Sequence, residues 1–237
     1  MDTANGRVPR TNLKDSVAAF IREQIFSGEL RPGTKVDQER IAATLGVSKL
    51  PVREALISLE SEALVRNLPR RGALIAPLTP DDVRDHYRIY GLLSGIAAER
   101  AAERLTEEEL DELDLLLTRM DAEGLPSDDL ETLNFAFHRT INRAGGSNRL
   151  GAVLRSLADS IPTRFYEFTT GWSELAAEHH RSILAALRAR DAQEASAAMA
   201  DHLTSGGDYA VRLLAESGFW DHDHEVGVSS GEPVDAE

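Results

Sequence analysis

Two short amphipathic helical segments that meet at the tripeptide Gly46-Val47-Ser48 constrain this chain more than any other feature. A preceding segment opens with the helix-start residues Asn12 and Asp15. It sets Leu13, Val17, Phe20, Ile21 and Ile25 at helical spacing until Ser27-Gly28 ends the run. The turn Arg31-Pro32-Gly33 leads to a second helix, about Asp37 to Leu45. Ser48 is placed to cap a third, in which Val52, Ala55, Leu56 and Leu59 form the inward stripe, and Pro51 falls in the first turn, where its missing N–H costs little. Lys49 and Arg53, one turn apart, project from another face. Helix, tight glycine turn, helix is the pattern that lays its second helix in the major groove of DNA, with that helix's N-terminal residues at the base edges.

After the third helix, Leu64–Asn67 and Ala73–Ala76 read as two short strands around Pro69-Arg70-Arg71-Gly72, with Gly72 free to adopt a positive φ. A hairpin tipped with Arg70 and Arg71 makes a wing that can lie on the phosphates or enter the minor groove. Taken singly, a lysine and an arginine four apart on a helix make an ordinary solvated face. The ordered set is far more specific.

Charge agrees once it is divided. The 237-residue chain carries a net −14, which argues against nucleic acid. Yet residues 1–80 hold 12 Lys+Arg against 9 Asp+Glu, and residues 81–237 hold 14 against 31. A mildly basic head on an acidic body can hold only one end against phosphate; an ordinary acidic solvated surface explains the charge of the body equally well. The absence of cysteine removes disulfides and thiolate metal sites. No apolar run approaches the roughly 18 residues of a membrane span, and residues 1–12 lack the apolar core of a signal peptide, so a cytoplasmic protein without membrane contact is expected.

From Thr79 onward the chain gives helix signals and no strand run. Thr79-Pro80-Asp81-Asp82 starts a helix directly after the wing, with no Gly/Ser linker, so the two parts should be mechanically coupled. Thr106 with Glu109, Ser127, Ser147 and Asp191 with Glu194 mark further starts, and the fourth body helix should bend or break near Pro162. The expected fold is mainly α: a flexible N-terminus (1–11), a winged helix-turn-helix domain (12–78), an all-α antiparallel bundle (79–218) and a disordered acidic tail (219–237). The pattern Asp221-His222-Asp223-His224 in that tail looks like a metal cluster only on paper.

Three histidines of the bundle are placed unusually. His138 lies beside the apolar stripe of Leu133, Phe137 and Ile141, one turn after Asn134. His180 is in phase with Ile183, Leu184 and Leu187, and His202 with Ala195 and Met199. Each of these two lies eleven residues from Asp191, which marks the hairpin between their helices, so in an antiparallel pair the imidazoles reach the same height. Three converging neutral imidazoles suit zinc or nickel with positions left open; three hydrogen-bonded core histidines are the plainer alternative.

The stretch from Leu13 to Ala76 resembles the GntR family of regulators, on SGELRPGTKV, ERIAATLGVSKLPVREALISLESEALV and RRGALI. That resemblance implies DNA contacts at Arg40, Ser48, Lys49, Arg53, Arg71 and Gly72, with Arg70 beside them on the wing. Lys49 stands where arginine is usual, and an ammonium lacks the planar fork that reads guanine. The body resembles the FadR-type, FCD ligand-binding domain on NFAFHRTINRAGGSN and EHHRSILAALRARDAQEASAAMADHL. Many members hold a metal by one Asp and three His. The resemblance therefore implies a site of Asn134, His138, His180 and His202, its affinity lowered because Asn134 replaces the acidic ligand. The Arg and Glu usual on the first helix of that domain are Tyr90 and Ser94 here. For an organic-acid effector, Tyr90 marks the family position and Arg88, Arg139 and Arg164 are the available substitutes.

The expectation is a homodimeric regulator, a repressor, that reads the half-sites of a pseudo-palindromic duplex and releases it on binding a small-molecule effector. The rival is a metal-dependent hydrolase carrying a DNA-binding head. Against it, no carboxylate sits at general-base spacing, no nucleophile has its base, and no Gly-rich phosphate loop occurs. A third reading, a helical scaffold with a vestigial head, predicts no sequence-specific DNA binding.

Overall fold

The structure, a computed structural model, describes residues 13–122, 124–160 and 172–221. Among these residues the head consists of α1 (Leu13–Phe26), α2 (Gln38–Leu45), α3 (Lys49–Ser61) and the hairpin β1 (Val65–Leu68) and β2 (Gly72–Ile75). Its core joins Ile21 and Ile25 of α1 to Val52, Leu56 and Leu59 of α3 and to Ile75 of β2, all of them buried. Across this core Arg22 donates from Nε and Nη2 to the two carboxylate oxygens of Glu62, both at 2.7 Å. Asp37 caps α2 by accepting from the N–H groups of Glu39 and Arg40, and Gly46, at φ 65°, turns the chain out of it.

Two local expectations need correcting. Ser48 occupies the N-cap position of α3 with extended backbone, but its side chain makes no capping hydrogen bond. The strands are shifted inward by one residue toward the turn, pairing Val65 with Ile75 and Leu68 with Gly72. Gly72 takes φ 89°, and Arg70 also enters the left-handed region at φ 64°, in a turn whose central residues are Pro69 and Arg70 and which the Arg71 N–H closes by donating to the Leu68 carbonyl at 3.1 Å.

Residues 76–79 alone separate β2 from the body, which is built of α4 (Pro80–Arg104), α5 (Glu107–Met120), α6 (Ser127–Gly145), α7 (Asn148–Asp159), α8 (Trp172–Arg188) and α9 (Ala192–Glu216). Thr79 with Asp82 and Thr106 with Glu109 form reciprocal capping boxes on α4 and α5. Helices α4 and α9, 25 residues each, pack against one another along their length. They approach closely because glycines replace side chains at the crossing. A Cβ on Gly91 would lie 3.0 Å from the Ala200 carbonyl, and one on Gly207 2.7 Å from the Cβ of Tyr87. Arg190 bonds the carbonyls of Ala102 and Leu105 at the end of α4, where a cation also suits the helix dipole.

Head and body meet through a small apolar cluster. Val83 and Tyr87 of α4 pack with Ala210, Val211 and Leu214 of α9, and Phe26, Leu78, Phe219 and Trp220 close over them. The Phe26 and Phe219 rings stack at 6.3 Å, and Trp220 donates from Nε1 to the Leu78 carbonyl at 2.7 Å. The disordered tail expected from residue 219 therefore begins too early. Phe219 and Trp220 are anchored because two large apolar rings gain more from this cleft than an acidic composition suggests. The Asp221–His224 pattern, the break near Pro162, Arg164 and the residues before Leu13 lie wholly or mostly outside the described residues.

Candidate DNA-reading surface and ligand cavity

The head presents its cations outward. Arg40 of α2, Ser48, Lys49 and Arg53 of α3, and Arg70 and Arg71 of the wing are exposed, and Gly72 is half-exposed. Lys49 is engaged by Glu39 across the helix turn, whereas no ion pair or hydrogen bond engages the Arg53 side chain among the described residues. Glu60 of α3 accepts from the backbone N–H and the side-chain amide of Asn67, both at 2.8 Å, which fixes the wing relative to the recognition helix. The Asn67 side chain, then its backbone N–H, lowers the Glu60 pKa and keeps that acceptor ionised.

In the body the three histidines of the helix phase do converge. Their ligand nitrogens all lie within 4.8 Å of one another. His138 Nε2 is 3.4 Å from His180 Nε2 and 3.2 Å from His202 Nε2. All three residues are buried. Burial lowers the His138 pKa to about 4. It also holds His180 and His202 well below the usual imidazole range, with the neighbouring histidines adding repulsion. The rings are neutral at physiological pH, the state a metal requires. Three ring nitrogens this close cannot all be satisfied by hydrogen bonds to one another, whereas one cation would satisfy them together. Two imidazole nitrogens on a tetrahedral zinc at about 2.05 Å would stand about 3.3 Å apart, close to the two distances measured from His138 Nε2. The donor set fits a divalent transition metal. Nothing among the described residues accepts from His138 Nδ1, so packing orients that ring, with Phe137 edge-on at 5.7 Å.

Beside this cluster opens a cavity of about 660 Å³, within the size range of small-molecule sites. Its lining includes His138 and His202, Asn134 one turn before His138, and Tyr87 and Tyr90 of α4. Of the effector candidates read from sequence, Tyr90 and Arg139 line it. Arg88 is exposed on α4 outside the lining, and Arg164 lies outside the described residues. Sequence reasoning missed Arg143, Arg155 and Asp159. Arg143 follows Arg139 by one helical turn and was legible from phase; Arg155 and Asp159 come from α7, whose approach no local pattern announces. Partial desolvation raises the Asp159 pKa, against the pull of Arg22 in the head and of Arg155. Tyr87 belongs both to the cavity wall and to the apolar cluster joining body to head.

A basic winged head on a helical body that carries a cavity defines a class of DNA-binding transcription regulator. The chain belongs to the GntR family of bacterial regulatory proteins: residues 13–75 match the family profile and residues 85–205 match the FCD domain. An uncharacterized HTH-type transcriptional regulator of Mycobacterium tuberculosis is 35% identical over 153 residues, which cover 65% of this chain and 62% of that relative. A probable D-xylose utilization operon transcriptional repressor of Paenarthrobacter nicotinovorans is 30% identical over 209 residues, covering 86% and 92%. The solved structure of Escherichia coli McbR/YncC shares the fold, with a TM-score of 0.66 at 23% identity, covering 86% of this chain and 99% of that one. The family consists of regulators of transcription, not enzymes, and the hydrolase alternative is set aside on that ground. Among the described residues no helix is long and apolar enough to cross a membrane.

Proposed function

We propose that this regulator is a cytoplasmic repressor whose hold on a pseudo-palindromic operator is set by a small molecule bound in the body cavity, with a divalent metal assisting. The observation that carries this reading is Tyr87: one side chain serves as cavity wall and as part of the cluster on which the head rests. A ligand that displaces it changes the seat of the head, and an arrangement disfavoured on DNA causes release. His138, His180 and His202 would hold the metal, which would supply a Lewis-acidic point for an oxygen-bearing effector. Asn134 adds an amide oxygen at most, and Arg139, Arg143 and Arg155 supply positive charge at the cavity.

A second copy completes the reading. Two heads are needed for two half-sites, and α4 exposes Ile89, Leu92 and Ile96 at helical spacing on one face, a stripe suited to its own two-fold mate. Within that dimer Arg40, Lys49 and Arg53 face the major groove, with Arg70, Arg71 and Gly72 at the backbone or minor groove.

The test is operator binding by the full chain, first to duplexes selected from a random pool, then with zinc or nickel added, with chelator, and with small organic acids. Affinity that shifts with metal or acid in the wild type, but not in His180→Ala, supports the reading. An affinity indifferent to every addition sinks effector control and leaves a constitutive DNA binder.

A further inference from the structure

The outer face of α3 carries an apolar side chain at the place where a recognition helix meets bases. Leu50 is 64% exposed, in the first turn of α3, between Lys49 and Arg53. On a helical projection Leu50 lies at the centre of the exposed face, with Arg53 on one flank and Glu54 on the other; the inward stripe of Val52, Ala55, Leu56 and Leu59 lies opposite. Lys49, its neighbour, is engaged by Glu39. An ammonium held by a carboxylate is a poor base reader, because it lacks a fork and its charge is already matched. The first turn of α3 is thus left with a branched aliphatic side chain as its outward group.

Resting on the reading that α3 enters the major groove, we infer that Leu50 is a specificity-determining residue that reads the C5 methyl of thymine. Thymine alone presents an apolar group in that groove, and apolar side chains recognise it by contact. Cytosine at the same place would set an amino donor, and adenine a donor and acceptor, against a side chain that can bond neither. The polar neighbours then divide the work. Arg53 reads or grips one turn further along, and Leu50 excludes every base but thymine at its own position.

The test begins with selection of duplexes from a random pool by the full-length protein and by Leu50→Ala, whose melting curve should match the wild type because the side chain is exposed. The wild type should enrich a motif with a fixed thymine in each half-site, and Leu50→Ala should keep the rest of the motif while accepting any base there. Replacing that thymine by deoxyuridine removes only the methyl. It should weaken wild-type binding about four-fold, the weight of roughly one buried carbon, and leave Leu50→Ala unchanged. An enriched motif that tolerates deoxyuridine throughout, or a variant that retains the thymine, overturns the inference while α3 remains the reading helix. No enriched motif at all overturns both.

Discussion

Arg53 stands exposed one turn into α3, and its planar fork can take a guanine edge or a phosphate. The first role predicts that Arg53→Ala costs about 1–3 kcal/mol on the selected operator and relaxes preference at one base pair. Equal weakening on every sequence, measured by titration against operator and scrambled duplex, would make it a phosphate grip. The histidines make a prediction of a different kind. Because burial depresses His138 from 6.5 to about 4, folded and unfolded chains are equally unprotonated above 6.5, and the unfolded chain alone takes the proton below it. Stability of the metal-free protein should fall as pH drops from 6.5 toward 4, by on the order of 3 kcal/mol for His138, with His180 and His202 acting in the same direction. Urea unfolding in chelator at pH 7.5 and pH 5 reads this; identical midpoints would mean that water reaches the rings.

The pairing of α4 with α9 is the element that most depends on what is missing from it. Gly207 faces Tyr87 so closely that a methyl group would sit 2.7 Å from its Cβ. Gly207→Ala should therefore cost about 1–3 kcal/mol by overpacking and distort the cavity wall. Gly151→Ala on α7, whose nearest neighbour is the Arg155 Nη1 at 3.5 Å, should be neutral or stabilising by up to about 1 kcal/mol through helix propensity. Paired melts of the two variants separate close approach from mere glycine flexibility. The histidine convergence was legible in the sequence for an elementary reason: equal distance from a helix hairpin gives equal height, and His180 and His202 indeed have ring centroids 4.5 Å apart. The α7 wall was not legible, since nothing in Arg155 or Asp159 records which helix they approach. The absent Ser48 cap was equally unreadable, because a suitable residue at the right place still has to adopt the bonding rotamer.

At the scale of the whole molecule, the head has its own core, and the body touches it through Tyr87, Phe219, Trp220 and their neighbours. Trp220→Ala should leave operator binding intact and abolish its response to cavity ligands, so that a coupling of about 1–3 kcal/mol falls toward zero. A variant that still responds would place the coupling elsewhere, with the Arg22–Glu62 pair, His86 and Asp159 at the same seam as the next candidates. This docking was hidden in the sequence because the acidic composition that follows outweighed two aromatic residues. The indole bond spans 142 positions of sequence, from Leu78 to Trp220. On the ribosome the partner of that carbonyl arrives on the order of ten seconds after it. For that interval the nascent head must persist on its internal core alone, a DNA-binding unit complete before the body that will rest against it exists.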